Sequence, residues 1–115
     1  GALGIAVCDR VLMLSHSFYS VIAPEGCAAI ITRDAGRASD AARWMRVTAN
    51  DARELDLIDE VVPEPLGGAH RDPIAAAEAV KEALTRHLEE LTALPTAELL
   101  AQRAKRLRSM GRVLT

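Results

Sequence analysis

Side chains able to do covalent chemistry are thinly spread through these 115 residues. No nucleophile stands at motif spacing from a base, no phosphate-binding glycine loop occurs, and no cluster of metal-ligand residues is present. What the chain offers instead is main-chain chemistry. A glycine at a turn into a helix leaves backbone N–H groups pointing outward, and these stabilise a negatively charged oxygen without help from a charged side chain. Gly1-Ala2 and Glu25-Gly26-Cys27 are two places of this kind. A third stretch, Gly67-Gly68-Ala69-His70-Arg71-Asp72, leaves His70 and Arg71 available to orient a carboxylate or hold a neighbouring subunit. Each has a plainer reading. Small residues at 1–2 let a helix pack tightly, Pro24-Glu25-Gly26 simply starts a helix with a dipole-matched carboxylate, and Asp72-Pro73 is a capped helix start with surface charges beside it.

Those residues need elements to aim them. "GALGIAV" (1–7) fits a helix start or a buried strand, because its small residues permit either. "RVLML" (10–14) and "SFYSVI" (17–22) are rich in residues suited to a pleated surface and predict two short strands. Pro24 at a first helical turn, with Glu25 beside the positive end of the dipole, predicts a helix over about 24–32. Gly36 closes that region. Ser39 then caps a helix over about 39–46, and Thr48 with Asp51 caps a third ending near Leu55. "LIDEVVPEP" reads as a strand closed by prolines, and Leu66-Gly67-Gly68 as a loop. Asp72-Pro73 opens a long helix, and after Pro95-Thr96 a last amphipathic helix covers about 97–110. The apolar stripes of these two helices suit bundle or subunit contacts.

Composition narrows the function classes. Half of the residues are apolar and only 3% aromatic, so an aliphatic, alanine-rich core on helices is expected. The formal charge of −2, with tail cations Arg103, Lys105, Arg106, Arg108 and Arg112 interleaved with apolar residues, argues against nucleic acid as a partner. Cys8 and Cys27 lack zinc-site spacing and read as reduced, buried, structural thiols. His16 and His87 read as ordinary surface residues, and Trp44 with Met45 as core. No apolar run is long enough to cross a bilayer and no signal-peptide pattern opens the chain, so a cytoplasmic location is expected. Opening on Gly1-Ala2-Leu3 without an initiator methionine predicts a piece cut from a longer polypeptide.

The stretches "DRVLML", "YSVIAPEGCA" and "EPLGGAHRDP" are the most specific in the chain. With "GALGIAVCDRVLMLSHSFYSVIAPEGCAAIITRDA" and the final "LTALPTAELLAQRAKRLRSMG", the sequence resembles the alpha-subunit family of bacterial acetyl-CoA carboxylase carboxyltransferases, within the crotonase superfamily. The resemblance covers practically the whole chain. It implies an α/β, crotonase-like (ClpP/crotonase) fold, partial here, with residues 1–72 the C-terminal part of the carboxyltransferase domain and 73–115 a helical segment for packing and subunit contact.

The same resemblance implies a reaction: a carboxyl group passes from carboxybiotin, on a separate biotin carboxyl carrier protein, to the methyl carbon of acetyl-CoA, giving malonyl-CoA for fatty-acid synthesis. It implies a beta-type subunit as partner, a hetero-oligomer, and no metal in this chain. Two developing oxyanions, on the thioester enolate and on the biotin ureido group, are met by backbone amides of glycine-containing turns. Gly1 and Ala2 match the end of the family's serine-glycine-glycine-alanine-leucine turn facing biotin, and Glu25, Gly26, Cys27, His70 and Arg71 are the substrate-binding candidates. The preceding serine and glycine of that turn are absent, so the isolated chain is expected to be inactive. The family usually carries alanine at Gly4, glycine at Ala6 and Cys8, and serine at Ala23. A biotin-independent crotonase-like acyl-CoA enzyme, for which only Glu25 is placed to act, and a non-catalytic assembly relative are the rival readings.

Overall fold

The computed structural model of the chain describes residues 1–111, so Arg112 and the end of the 73–115 segment lie outside the described residues. Six α-helices and two strands follow one another: α1 (Ala2–Ala6), β1 (Leu12–Leu14), α2 (Pro24–Thr32), α3 (Ala38–Met45), α4 (Ala49–Glu54), β2 (Glu60–Val62), α5 (Pro73–Thr92) and α6 (Thr96–Ser109), with a 3₁₀ turn at Ala35–Arg37. The mixture is of the α/β kind. β1 and β2 pair in parallel, Leu12 opposite Glu60, Met13 opposite Val61 and Leu14 opposite Val62. A parallel pair needs a long crossover, and α2, α3 and α4 supply it.

The core forms where this crossover returns. Val11, Met13 and Ile58 pack with Ala49 and Ala52 of α4, which lie three apart and so share one helix face. Burial of Met13 and Ile58 stabilises the joint by about 1.5–3 kcal/mol each. Alanine at 49 and 52 lets α4 approach the strands closely, as the low aromatic content leads one to expect. α5 opens on Asp72, whose carboxylate accepts the Ala75 N–H at 3.0 Å, and buries Ala76, Ala83 and His87. Thr48 caps α4 by accepting from the Asp51 N–H.

Several expectations need correction. Residues 17–22 form no strand. Phe18 makes one antiparallel bridge to Thr48, the Tyr19 N–H reaches the Val47 carbonyl at 2.9 Å, and Phe18 and Val21 stay 77% and 85% exposed. β-forming residues need a neighbouring strand and a half-buried face, and neither is beside this segment. Ser39 caps nothing: α3 begins at Ala38, and Asp34 instead caps the 3₁₀ turn by accepting the Gly36 N–H. α2 is closed by Arg33 in the left-handed conformation (φ 58°), not by Gly36; Arg46 (φ 49°) closes α3 likewise, and Asp56 (φ 58°) follows α4.

Burial also departs from the sequence reading at five side chains. Trp44 is half exposed, with the Arg37 guanidinium 5.2 Å from its ring centroid, and Met45 is only half-buried. Cys8 is an exposed free thiol whose Sγ faces the Ile5 and Arg10 carbonyls, and Cys27 is a half-buried one. His87 is buried, not on the surface. It lies on the same stripe of α5 as Ala76, Val80 and Ala83, and its Nδ1 is 2.8 Å from the Arg10 guanidinium while Nε2 is 3.3 Å from Glu60. No helix among the described residues is long and apolar enough to cross a membrane.

Candidate functional site

Gly1 is the N-cap of α1, and the Ile5 N–H closes the first turn on the Gly1 carbonyl at 3.1 Å. That leaves the first-turn amides of Ala2, Leu3 and Gly4 without an intrahelical acceptor. The Ala2 carbonyl accepts a hydrogen bond from the Tyr19 hydroxyl. Tyr19 is thereby the link between the Gly1-Ala2 corner and the Tyr19–Gly26 segment, two places 17 residues apart in sequence.

At the second corner the local geometry assigns separate roles to the three candidates. α2 starts at Pro24, and its N-cap Ala23 has an extended backbone (φ −67°, ψ 150°) but no side chain able to accept a first-turn N–H. The Cys27 N–H is already used, bonded to the Ala23 carbonyl at 3.0 Å, so it is not an oxyanion donor. The Glu25 and Gly26 amides remain in the open first turn. Glu25 itself is exposed. Gly26 has a packing role: a Cβ there would sit 2.8 Å from Ile22 Cδ1 and 2.9 Å from Cγ1. The approach to this corner, with Phe18, Val21, Ile22, Pro24 and Val47, walls an apolar hollow of about 560 Å³.

The third place lies at the carboxyl ends of the parallel strands, where open α/β sheets bind their ligands. β1 runs into Ser15-His16 and β2 into the loop that ends at Asp72. In that loop Gly67 (φ 88°) and Gly68 (φ 104°) adopt backbone conformations that side chains disfavour. Gly68 is buried, and a Cβ on it would stand 3.0 Å from the His70 ring. Turns from Gly68 N–H to the Pro65 carbonyl (2.9 Å) and from Arg71 N–H to the Gly68 carbonyl (3.0 Å) fix the loop's path. His70 and Arg71 are exposed at its tip. Gly67 is likewise filled around: a Cβ would meet Arg71 Cγ at 3.0 Å.

Two residues with structural roles, Glu64 in this loop and Arg106 before the opposite ends of the strands, lack a signature in residue type. Glu64 accepts the Ala69 N–H at 2.9 Å and the His16 N–H at 2.5 Å, and its own N–H donates to the Ser15 hydroxyl at 3.0 Å. Those amides, Ala69's first, with the charges of His16 and His70, hold its carboxyl below the usual glutamate range. Arg106, three-quarters of the way along α6, donates to the Ala6 and Cys8 carbonyls at 2.9 and 3.1 Å and pairs with Asp59 at 3.4 Å. These roles depend on partners across the fold, His16 and Ser15 for Glu64 and Ala6 and Cys8 for Arg106, all 48 or more residues away. His87 did have a sequence signature: its place in the apolar stripe of α5. Among the described residues, no group of three His, Cys, Asp or Glu side chains is arranged to hold a metal ion.

Open first-turn amides at Gly1-Ala2, where Tyr19 holds the Ala2 carbonyl, and at Glu25-Gly26 are groups that can bind an oxyanion rather than perform acid–base chemistry. The model of the family described as "Acetyl co-enzyme A carboxylase carboxyltransferase-like" matches residues 1–111. The chain is 55% identical over 112 residues to the acetyl-coenzyme A carboxylase carboxyl transferase subunit alpha of Azotobacter vinelandii, covering 97% of this chain and 35% of that protein. It is 56% identical over 111 residues to the protein of the same name from Methylococcus capsulatus, and 49% identical to that of Synechococcus elongatus. The chain belongs to the acetyl co-enzyme A carboxylase carboxyltransferase-like family. It spans about a third of the length of these relatives (35% and 34%).

Proposed function

We propose that this chain is part of a carboxyltransferase alpha-type subunit that moves a carboxyl group from carboxybiotin, presented on a carrier protein, to acetyl-CoA. The C–N bond to the donor breaks, a C–C bond forms at the thioester's methyl carbon, and a proton passes from that carbon to the donor nitrogen. In this reading residues 1–72 belong to a crotonase-like domain, residues 73–115 make packing and subunit contacts, and a beta-type subunit completes the site. The observation that carries the proposal is the open first turn at Gly1-Ala2, whose Ala2 carbonyl is held by the Tyr19 hydroxyl. Such amides are already oriented when charge develops, so they need no reorganisation during the reaction. In this reading the Ala2 amide is the donor toward the ureido oxygen. The open hollow before Pro24, walled by Phe18, Val21, Ile22 and Val47, offers apolar surface beside this corner.

The test uses the full-length subunit with its beta partner and a biotin acceptor or donor. Ala2→Pro deletes one N–H at the first helical position, where proline is well tolerated, and so separates loss of the donor from loss of the helix. Malonyl-CoA formation is expected to fall about 10²–10³-fold with subunit assembly intact, the usual effect of removing one oxyanion donor. Unchanged turnover would remove Ala2 from the mechanism. A complete wild-type subunit that binds the beta partner yet forms no malonyl-CoA would favour a non-catalytic assembly role.

A further inference from the structure

We propose that Glu64 is a positioning residue for the His70–Arg71 loop, clasping the ends of both parallel strands so that these two side chains are held over the site. The inference rests on the carboxyltransferase reading only for what the loop faces; the clasp itself is in the geometry. One carboxylate takes two main-chain N–H groups from segments that follow different strands, Ala69 from the β2 loop and His16 from the β1 end. The third bond runs the other way, from the Glu64 N–H to the Ser15 hydroxyl, and the Ser15 N–H continues the strand pairing by donating to the Val62 carbonyl at 2.9 Å.

The Glu64 side chain is only 7% exposed although the residues it organises, His16, His70 and Arg71, are at the surface. A buried carboxylate is costly unless its oxygens are occupied, and here both are occupied by backbone amides rather than by a salt-bridging arginine. The arrangement therefore fixes main-chain position more than it balances charge. His16 Nδ1, 3.6 Å from Glu64, completes the set of groups facing the carboxylate from the β1 side, and His70 does so from the loop. With Gly67 and Gly68 supplying backbone shapes that other residues disfavour, the loop between Glu64 and Asp72 has one path, and Glu64 is the tie that sets it against the strands.

The experiment compares Glu64→Ala and Glu64→Gln in the full-length subunit with its beta partner. Two readouts are taken: hydrogen exchange at the His16 and Ala69 amides, and kcat and KM for carboxyl exchange between malonyl-CoA and free biotin. Glu64→Ala is expected to raise exchange at both amides and to raise KM about tenfold, with kcat within about twofold, as loss of uniform binding does. Glu64→Gln keeps one carbonyl acceptor and the side-chain volume, so it is expected to restore protection at one amide and part of the KM. A purely structural residue would instead lower the active fraction with KM unchanged. The proposal is overturned if both amides keep wild-type protection in Glu64→Ala, or if protection is lost in both variants and KM does not move. Failure of the functional reading looks different: the wild-type complex would show no carboxyl exchange, while the amide readout would still decide whether Glu64 holds the loop.

Discussion

At Gly68 a single hydrogen atom in place of a side chain decides the course of a loop. Its φ of 104° lies where side-chain-bearing residues are strained, and the His70 ring occupies the space a methyl group would need. Gly68→Ala is therefore expected to cost about 1–3 kcal/mol, read as a Tm drop of a few degrees in the full-length subunit, together with displacement of His70. Retention of the wild-type Tm would show that the loop has a second conformation of equal energy. Residue types signalled this glycine pair and the Asp72 cap directly, because φ > 0 and an unsatisfied N–H are local demands. They did not signal Glu64 or Arg106, whose partners across the fold lie far away in sequence, whereas the apolar stripe of α5 carried the signal for His87. Cys8 and Trp44 show the complementary limit: apolar neighbours in sequence do not make a buried site in space, and both side chains remain accessible.

Elements were legible wherever their ends carry chemistry. Pro24, Thr48, and Asp72 with Pro73 mark the starts of α2, α4 and α5 within a residue, since capping is a short-range contact. The segment 17–22 was not, because a strand is defined by a neighbour that composition cannot name. α2 also shows what a missing cap means. Ala23 already has the extended backbone of an N-cap but offers no acceptor. Ala23→Ser is expected to stabilise the subunit by ~1 kcal/mol, visible as a raised urea midpoint at unchanged m-value. It should also slow exchange in the first turn of α2. An unchanged midpoint would mean that those amides already find an acceptor in the assembled protein.

Across the molecule, charged side chains fasten α5 to β2 and α6 to the segments leading into the two strands. α6 is held by Arg103, bidentate to Asp9 at 2.8 and 2.7 Å, and by Arg106 on the Ala6 and Cys8 carbonyls. α5 is held by Arg86 and His87 on Glu60. Arg106→Lys is expected to lose about 2 kcal/mol, because one ammonium cannot span the carbonyls and Asp59 that the guanidinium fork reaches. Faster proteolytic release of α6 would report it, and an unaltered cleavage rate would refute it. Acid acts on the same joints. The Arg103 hydrogen bond lowers the Asp9 carboxyl, and the Arg86 hydrogen bond lowers that of Glu60. A depressed folded-state value means stabilisation is full above the unfolded value, about 4, and is lost as pH falls through the folded one. Helix detachment measured by exchange in α5 and α6 should thus begin only below about pH 4; an onset near neutrality would contradict it. The left-handed helix end at Arg33 has a practical outcome for anyone wishing to toughen the protein. Glycine tolerates that backbone geometry freely, so Arg33→Gly should raise the melting point by the equivalent of ~1 kcal/mol, at a position far from His70 in the chain. A thermostable variant can start at this helix end, the opposite end of α2 from Glu25 and Gly26.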